Sequence, residues 1–459
     1  MSQGTTLVVP QKANKDADFS AGGTLSSGPS RFMRQPRGSR VSDLEVWGVG
    51  DTGPMEADKL AAQWLISTSW ILALLWWGKA LEMLRGFRKL TDLTQPQKGL
   101  LPPMPESDAP HLTVLVPACN EEDTIEATLR SLLASTGVRL QIIAINDRST
   151  DRTGERIDAI AAEAAKSAPH TLEVIHNKML PEGWLGKPHA LKLGAERATA
   201  PWLLMTDGDV TFAPDALERA LREALSKSAD HLVVLPTLMR TGFAEAAMEG
   251  TFEVLAAWSF RMWKVEDPKA RDFFGVGGCT LVRREVLAAV GGMDRLRMEV
   301  VEDVGAGWLV KRAGYRSCVT FGPGLVRIRW IQGYFGIVSN LEKNGFAALH
   351  FNVGLLVVAC LALLLSAVVP VAAMFAGVWG ATGGLLTYMA IALTFQANRR
   401  ITGIPPWAAV LYGPSMAVLA WAFARSAALT LWRGGVAWRG TLYPLKELRQ
   451  GCLPSNRRS

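Results

Sequence analysis

Acidic side chains follow three apolar segments in the middle of this 459-residue chain. Glu121 follows the segment TVLVP, Asp147 follows QIIAIN, and Asp207-Gly208-Asp209 follows WLLMT. Two carboxylates two residues apart on a turn can hold a hard divalent cation that keeps several waters and bridges phosphate oxygens. Such a cation neutralises charge on a departing diphosphate. The pattern therefore indicates chemistry on a phosphate-bearing substrate.

Each acidic segment also has a purely structural explanation. Asn120 and Asp151 are of the residue types that cap helices, and each precedes a helix-like stretch. Either segment alone would fit that explanation. Three such groups after three strands are harder to dismiss, and they favour a shared site.

Two further charged motifs add candidates. Lys187 lies in GWLGKP, at the predicted start of a helix, where a helix N-terminus and a lysine favour an anion such as phosphate. The GxxxxGK[ST] spacing of a P-loop is absent, and a surface turn is the alternative. Glu302 and Asp303 open another predicted helix. They either interact with the helix dipole or supply a general base that reaches the proton it removes.

The elements that must position these residues alternate between strands and helices from Leu112 to about Trp330. Short buried strands are predicted at TVLVP, QIIAIN, LEVIH, WLLMT and HLVVL, with helix-like stretches between them. This alternation predicts an α/β fold with a mostly parallel sheet. Ligands of such sheets lie beyond the carboxyl ends of the strands, where the charged motifs fall.

Apolar segments flank this central region. Leu60–Trp77 and Gly354–Ala376 are uncharged and long enough to suggest membrane-spanning helices, while Gly333–Phe351 resembles an amphipathic interfacial segment. The predicted order is a disordered tail (1–58), a transmembrane helix (59–78), a linker (79–110), the α/β domain (111–330), an interfacial amphipathic helix (331–352), a transmembrane region (353–425) and a basic C-terminal tail (426–459).

The later apolar segments leave the topology open. Three crossings after a cytoplasmic domain would put the basic tail outside, against the positive-inside tendency. One resolution is that Leu385–Phe395 does not cross, or pairs with a neighbour as a re-entrant segment. The net charge of +7 fits Lys and Arg next to membrane spans, and no nucleic-acid-binding signature is present. The scattered cysteines suggest a reducing compartment.

These motifs together resemble family 2 glycosyltransferases, enzymes with the GT-A fold, over about Leu112 to Asn352. PACNEEDTI resembles the opening strand and loop of the family, and NDRSTD is similar to its DDxSxD motif. PEGWLGKPHAL, LLMTDGDVTFAPDAL and GGCTLVRREVLAAVGG resemble the hopanoid-associated and carotenoid-type membrane enzymes. The resemblance implies an integral protein of a bacterial-type inner membrane, with the catalytic domain in the cytoplasm.

The resemblance also implies residue roles. The donor would be a nucleotide-diphospho-sugar, most simply a UDP-sugar, with Mg²⁺ or Mn²⁺ as cofactor. The nucleotide pocket would be lined by Pro117, Asn120 and Glu121, with Asp147 near the uracil and Lys187 near the phosphate side. Asp207 would face the sugar-nucleotide and the metal, and Asp209 would be the main metal ligand. Asp303 would be the general base, with Glu302 as the second choice.

Two departures from the family pattern bear on function. Asn146 replaces the first Asp of DDxSxD, which removes one carboxylate. The QxxRW motif of processive polysaccharide synthases is absent after Asp303, because Gln332 lacks the following Arg-Trp. We therefore expect an inverting, single-sugar transfer to a lipid or prenyl-type hydroxyl. The alternatives are a processive polysaccharide synthase and a membrane scaffold that binds nucleotide-sugar without turnover.

Overall fold

The computed structural model describes residues 54–95, 110–166 and 169–453. The interpretations made for residues 1–53, 96–109 and 454–459 lie outside the described residues.

The α/β domain contains two sheets, which are formed by eleven strands of the described chain. The strands are β1 Thr91–Asp92, β2 Leu112–Ala118, β3 Leu140–Asp147, β4 Thr171–Asn177, β5 Trp202–Met205, β6 Val210–Phe212, β7 His231–Leu235, β8 Thr237–Leu238, β9 Thr280–Arg283, β10 Ser317–Phe321 and β11 Val326–Ile328. The main sheet has the order β1-β10-β7-β9-β5-β2-β3-β4, and a small sheet has the order β6-β11-β8. Only β9 runs antiparallel in the main sheet. The predicted mostly parallel sheet is confirmed.

Thirteen helices accompany these strands. They are α1 Pro54–Phe87, α2 Ile125–Leu133, α3 Thr153–Ala164, α4 Gly186–Glu196, α5 Ala216–Ser226, α6 Phe243–Phe260, α7 Arg284–Ala289, α8 Glu302–Arg312, α9 Gly336–Ala348, α10 Val353–Ala373, α11 Val378–Thr402, α12 Tyr412–Arg433 and α13 Leu445–Gly451. A C-terminal hairpin consists of β12 Gly435–Trp438 and β13 Thr441–Pro444.

The strands form because their side chains are apolar on both faces. All seven residues of β2 are buried. Val114 and Val116 belong to the core under one face of the sheet, and Leu115 belongs to the core under the other. Burying one such side chain stabilises the fold by about 1.5–3 kcal/mol. The sheet is therefore rigid, and the loops at its carboxyl edge are held in fixed positions.

Four helical segments are long and apolar enough to cross a membrane: 58–87, 353–373, 378–402 and 406–433. The first helix begins at Pro54 and continues to Phe87, so it extends beyond both ends of the predicted span 59–78 and into the predicted linker. The segment Leu385–Phe395, which looked too short, is part of the 25-residue helix α11.

Contacts at the two ends of residues 403–433 show how this last segment runs. Before it, Arg240, just after β8, donates to the carbonyl of Thr402 at 2.7 Å. After it, Arg433 forms an ion pair with Glu342 of α9 at 2.8 Å, and the hairpin that follows contacts the α/β domain. Between these points, Tyr412 reaches Ser366 in the middle of α10. The segment therefore enters and returns on the side of the α/β domain.

This path corrects the predicted C-terminal region. The helix α12 runs to Arg433, past the predicted end of the transmembrane region at 425, and a folded hairpin and helix follow it. The contacts place both ends of residues 403–433 on the side of the α/β domain, and Leu385–Phe395 lies within α11.

A labelling experiment tests this topology. In a variant without native cysteines, Lys446→Cys and Glu285→Cys place single thiols on the exposed C-terminal helix and on the exposed surface of the α/β domain. We expect a membrane-impermeant maleimide to label both in vesicles of the same orientation. Labelling of the two positions in opposite vesicle orientations would show that residues 406–433 cross completely.

Candidate active site

One cavity of about 780 Å³ lies at the carboxyl edge of the main sheet. Nine of the lining positions lie at the ends of β2 and β3, in the loops and helix starts after β2, β4 and β5, or at the helix start before β10. The parallel strands among these bring their carboxyl ends to one edge. The predicted site residues in its lining are Pro117, Glu121, Asp147, Lys187, Asp207, Asp209, Glu302 and Asp303, with Gly208 between the two aspartates. The sequence therefore identified side chains that share one crevice.

Asn120 is the predicted site residue that the cavity lining does not include. Its side-chain Oδ1 accepts a hydrogen bond from the backbone N–H of Thr150 at 2.8 Å, and its own N–H donates to Ser149 Oγ. Asp151 accepts from the N–H groups of Thr153 and Glu122. These two residues hold the loops after β2 and β3 together, whereas the N-cap positions of the helices that follow are Thr124 and Arg152.

Asp147 is buried at the end of β3 and is fully partnered. It forms a bidentate pair with Arg148, with distances of 3.0 and 2.8 Å, and accepts from Asn177 Nδ2 at 2.7 Å. A bidentate guanidinium–carboxylate pair fixes both groups in orientation. The carboxylate therefore faces the cavity as a rigid hydrogen-bond acceptor.

Lys187 links two parts of the site. Its Nζ lies 2.5 Å from Asp207 Oδ1 and 2.5 Å from Glu302 Oε1. Burial alone would lower the pKa of Lys187, but the charges of Asp207 and Glu302 raise it well above its ordinary value. The lysine is thus a permanent cation that neutralises two carboxylates of the site.

Lys187, Asp207 and Glu302 form an ion triad, and glycines let the backbone lie close to it. A Cβ on Gly277 would lie 2.4 Å from Asp207 Oδ2 and 3.1 Å from Lys187 Nζ. A Cβ on Gly275 would lie 1.9 Å from the carbonyl oxygen of Asp303. Glycine is required at both positions, because a side chain would collide with the Asp207 carboxylate at position 277 and with the backbone of Asp303 at position 275.

Asp209 differs from Asp207 in its surroundings. Its Oδ1 is buried and has no hydrogen-bond partner. Burial and the charges of Asp207 and Glu121 raise the pKa of Asp209 to about 7. A buried carboxylate oxygen without a partner is costly unless a cation or donor satisfies it. Among the described residues no group of three His, Cys, Asp or Glu side chains is arranged to hold a metal.

Asp303 and Glu302 also differ, although they are adjacent at the start of α8. Glu302 is paired with Lys187, whereas Asp303 Oδ1 accepts only from the N–H of Val304, at 2.7 Å. Burial and the neighbouring Glu302 raise the pKa of Asp303 to about 6. Of this adjacent pair, Asp303 is therefore the carboxylate whose pKa is raised toward neutral pH.

The sequence motifs did not assign roles to the C-terminal hairpin and α9, which close one side of the cavity. Arg439 forms an ion pair with Glu121, and the N–H of Gly186 donates to Tyr443 Oη at 3.3 Å. Lys343 Nζ lies 3.8 Å from the centroid of the Trp438 ring. In the sequence, nothing local to Trp438-Arg439-Gly440 indicates contact with residues more than 250 positions earlier.

The far end of the same cavity is apolar. Phe252 and Phe260 of α6, Leu341 of α9 and Ile401 of α11 line it. Glu253 is the charged exception at this end, and burial raises its pKa to about 8. The cavity therefore joins a cluster of charged groups to helices that are apolar enough for a membrane.

Comparison with known sequences assigns the central domain. The sequence model described as Glycosyl transferase family 2 matches residues 113–291. Succinoglycan biosynthesis protein ExoA of Rhizobium meliloti (strain 1021) is 26% identical over 245 residues, covering 50% of this chain and 69% of that protein. The uncharacterized glycosyltransferase YibD of Escherichia coli (strain K12) is 31% identical over 119 residues, covering 26% of this chain and 32% of that protein.

Comparison with solved structures gives similarity in outline only. A mannosyltransferase from Pyrobaculum calidifontis, solved with GDP-Man and Mn²⁺, covers 80% of this chain and 99% of its own at 18% identity, with a TM-score of 0.47. The match to TarS 1–349 of S. aureus, solved with UDP-GlcNAc, covers 70% of this chain and 92% of the TarS chain at 14% identity, with a TM-score of 0.35.

The ion triad generates a stability prediction. In Lys187→Gln, Glu302 stays buried without its cation, and removing one partner of a buried pair costs about 3–5 kcal/mol. We expect a clear drop in melting temperature in detergent. Adding Glu302→Gln to this variant should restore part of the loss, because no uncompensated buried charge remains there. Equal melting temperatures for wild type and Lys187→Gln would contradict the triad.

Proposed function

We propose that this chain, whose residues 113–291 match the Glycosyl transferase family 2 model, moves one sugar from a nucleotide-diphospho-sugar to a hydroxyl group of a lipid. A UDP-sugar is the donor we favour, with Asp147 accepting hydrogen bonds from the base. The observation that carries the proposal is the single cavity, which joins the acidic donor end to an apolar end beside α11.

The donor end fits a divalent cation through its donor set. Asp209 offers an unpartnered buried oxygen, and Asp207 offers the oxygen that Lys187 does not hold. Two carboxylates leave room for the phosphate oxygens and waters that Mg²⁺ or Mn²⁺ takes as its remaining ligands. When bound, the cation neutralises charge on the departing diphosphate. Asp209 is the main ligand in this proposal.

Asp303 serves as the general base. It accepts the proton of the acceptor hydroxyl as that oxygen attacks the anomeric carbon, and the bond from this carbon to the diphosphate breaks with inversion. Asp303 suits the role better than Glu302, because Glu302 is held by Lys187. A base works best when its pKa lies near the working pH, which fits a value of about 6.

The acceptor enters from the apolar end. Phe252, Phe260 and Ile401 offer a surface for a hydrocarbon chain, and α11 leads from this end into the membrane. A soluble acceptor would have no use for this lining. A lipid or prenyl-type alcohol would place its hydroxyl next to Asp303 while its chain stays in the membrane.

Charge at the helix ends supports a cytoplasmic catalytic domain. Arg85, Arg399, Arg400 and Arg433 lie in the last turns of α1, α11 and α12, all on the side of the α/β domain. Excess Lys and Arg mark the cytoplasmic side of membrane proteins. We therefore propose an integral protein of a bacterial-type inner membrane, facing the cytoplasmic pool of nucleotide-sugars.

A polysaccharide-building role is the second candidate, since one relative is by name a succinoglycan biosynthesis protein. The absence of QxxRW after Asp303 disfavours chain elongation. Incubating the full-length protein with radiolabelled nucleotide-sugars, a lipid extract and Mn²⁺ separates the candidates. We expect a single labelled sugar on an organic-soluble product. Labelled polymer would favour the second candidate, and the absence of any transfer would contradict both.

The metal assignment predicts the behaviour of Asp209→Asn. Losing a charged ligand should lower kcat by about 100-fold or more, as loss of a main electrostatic stabiliser does. It should also raise the Mn²⁺ concentration needed for half-maximal activity. Asp215→Asn, an exposed carboxylate outside the cavity, is the control. Unchanged Mn²⁺ dependence in Asp209→Asn would show that the cation lies elsewhere.

The base assignment predicts a pH profile. Because Asp303 acts as a carboxylate, kcat/KM should fall as the pH drops through about 6. Asp303→Asn should lose about 10²–10⁴-fold in rate, and its residual activity should lack that acid limb. Glu302→Gln should keep the limb. If Glu302→Gln abolishes the limb and Asp303→Asn retains it, the two roles are reversed.

A further inference from the structure

The cavity contains two cations that the proposed mechanism does not use. Lys343, on α9, and Arg439, at the turn of the C-terminal hairpin, both line it together with Asp207, Asp209 and Asp303. Lys187, the cation first expected at the phosphates, is occupied by two carboxylates. The divalent cation proposed at Asp209 supplies part of the positive charge that the departing diphosphate needs, and Lys343 and Arg439 are further cations in the lining of the same cavity.

The hairpin is fixed over the donor end by three separate contacts. Arg439 pairs with Glu121 after β2, Arg148 Nη1 donates to Thr441 Oγ1 at 3.4 Å after β3, and Gly186 at the start of α4 donates to Tyr443. These partners surround the predicted nucleotide pocket. The turn of the hairpin is therefore a part of that pocket, although it lies beyond the last membrane-embedded segment.

Arg439 adopts an unusual backbone conformation for its residue type. It has a φ of 48°, and Gly440 follows with a φ of 78°. A two-residue hairpin turn with both central φ values positive strongly prefers Asn-Gly or Asp-Gly. An arginine in the left-handed region costs roughly 1 kcal/mol. An arginine at this position therefore destabilises the turn. Its presence despite this cost indicates a role for the guanidinium group.

Lys343 has no carboxylate partner among the ion pairs of the described residues. Its Nζ instead lies over the ring of Trp438, the residue before Arg439. The charges of Lys187, Glu302, Asp207 and Arg439 all act on it. Lys343 therefore lies close enough to the donor-end carboxylates to interact with their charges, but it forms no ion pair with a carboxylate of the described residues.

We propose that Lys343 and Arg439 together bind the diphosphate of the nucleotide-sugar donor, with Arg439 exchanging Glu121 for a phosphate oxygen. The guanidinium offers several donors in a planar fork suited to phosphate, and the ammonium adds a point charge. One cation comes from the interfacial helix and the other from the C-terminal hairpin. This inference rests on the proposed function.

The test measures nucleotide affinity in the full-length protein in detergent, with UDP, UMP, GDP and GMP as probes and Mg²⁺ present throughout. Arg439→Asn and Lys343→Gln should each weaken binding of the preferred nucleoside diphosphate about 10-fold, the order expected for losing a charged hydrogen bond. Binding of the matching monophosphate should change less than about twofold. Lys446→Gln, an exposed cation outside the cavity, should bind as wild type does.

Arg439→Asn also separates binding from folding. Because Asn-Gly suits this turn better than Arg-Gly, the melting temperature should stay equal or rise while diphosphate affinity falls. Diphosphate affinity equal to wild type in both variants would overturn the inference, as would equal losses for diphosphate and monophosphate. If wild-type protein binds none of the four nucleotides, the proposed function fails instead.

Discussion

Electrostatic repulsion among carboxylates at one sheet edge is the constraint on which this structure depends. Glu121, Asp147, Asp207, Asp209, Glu302 and Asp303 all line a single cavity. Burial, together with the like charges beside them, raises the pKa of both Asp209 and Asp303. Each carboxylate must therefore either be paired with a cation in the protein or be able to bind a metal ion or a proton.

The fold divides these carboxylates into two groups. Asp147 is neutralised by Arg148, Glu302 and Asp207 by Lys187, and Glu121 by Arg439. Asp209 and Asp303 have no such partner. The paired groups are suited to positioning a ligand, whereas the unpaired groups are suited to holding a metal and moving a proton. This division explains why adjacent residues in the sequence, such as Glu302 and Asp303, are suited to different roles.

Much of this arrangement could be predicted from the sequence because it depends on local patterns. Runs such as TVLVP and QIIAIN are apolar on both faces and form the parallel strands, and parallel strands bring Asp147 and Asp207 to one edge. The convergence of Asp303 on that edge needed the family resemblance. Asn120, expected at the nucleotide pocket, is not among the residues that line the cavity, and its side chain connects two loops.

The rest depends on contacts between distant segments. Arg439 meets Glu121 across 318 positions, and no local pattern encodes that pairing. Residues 406–433 have the length and hydropathy of a span, and only the contacts of Thr402 and Arg433 show that they return. The return is what brings the hairpin to the donor end, so the membrane-embedded segment and the active site are coupled.

A solved structure of the protein with Mn²⁺ and an intact nucleotide-sugar would test the central claim most directly. We expect the metal on Asp209, the diphosphate between the metal and the cations of α9 and the hairpin, and the anomeric carbon facing Asp303. A nucleotide-sugar bound outside this cavity, or bound with Asp209 and Asp303 too far apart to contact it together, would contradict the account.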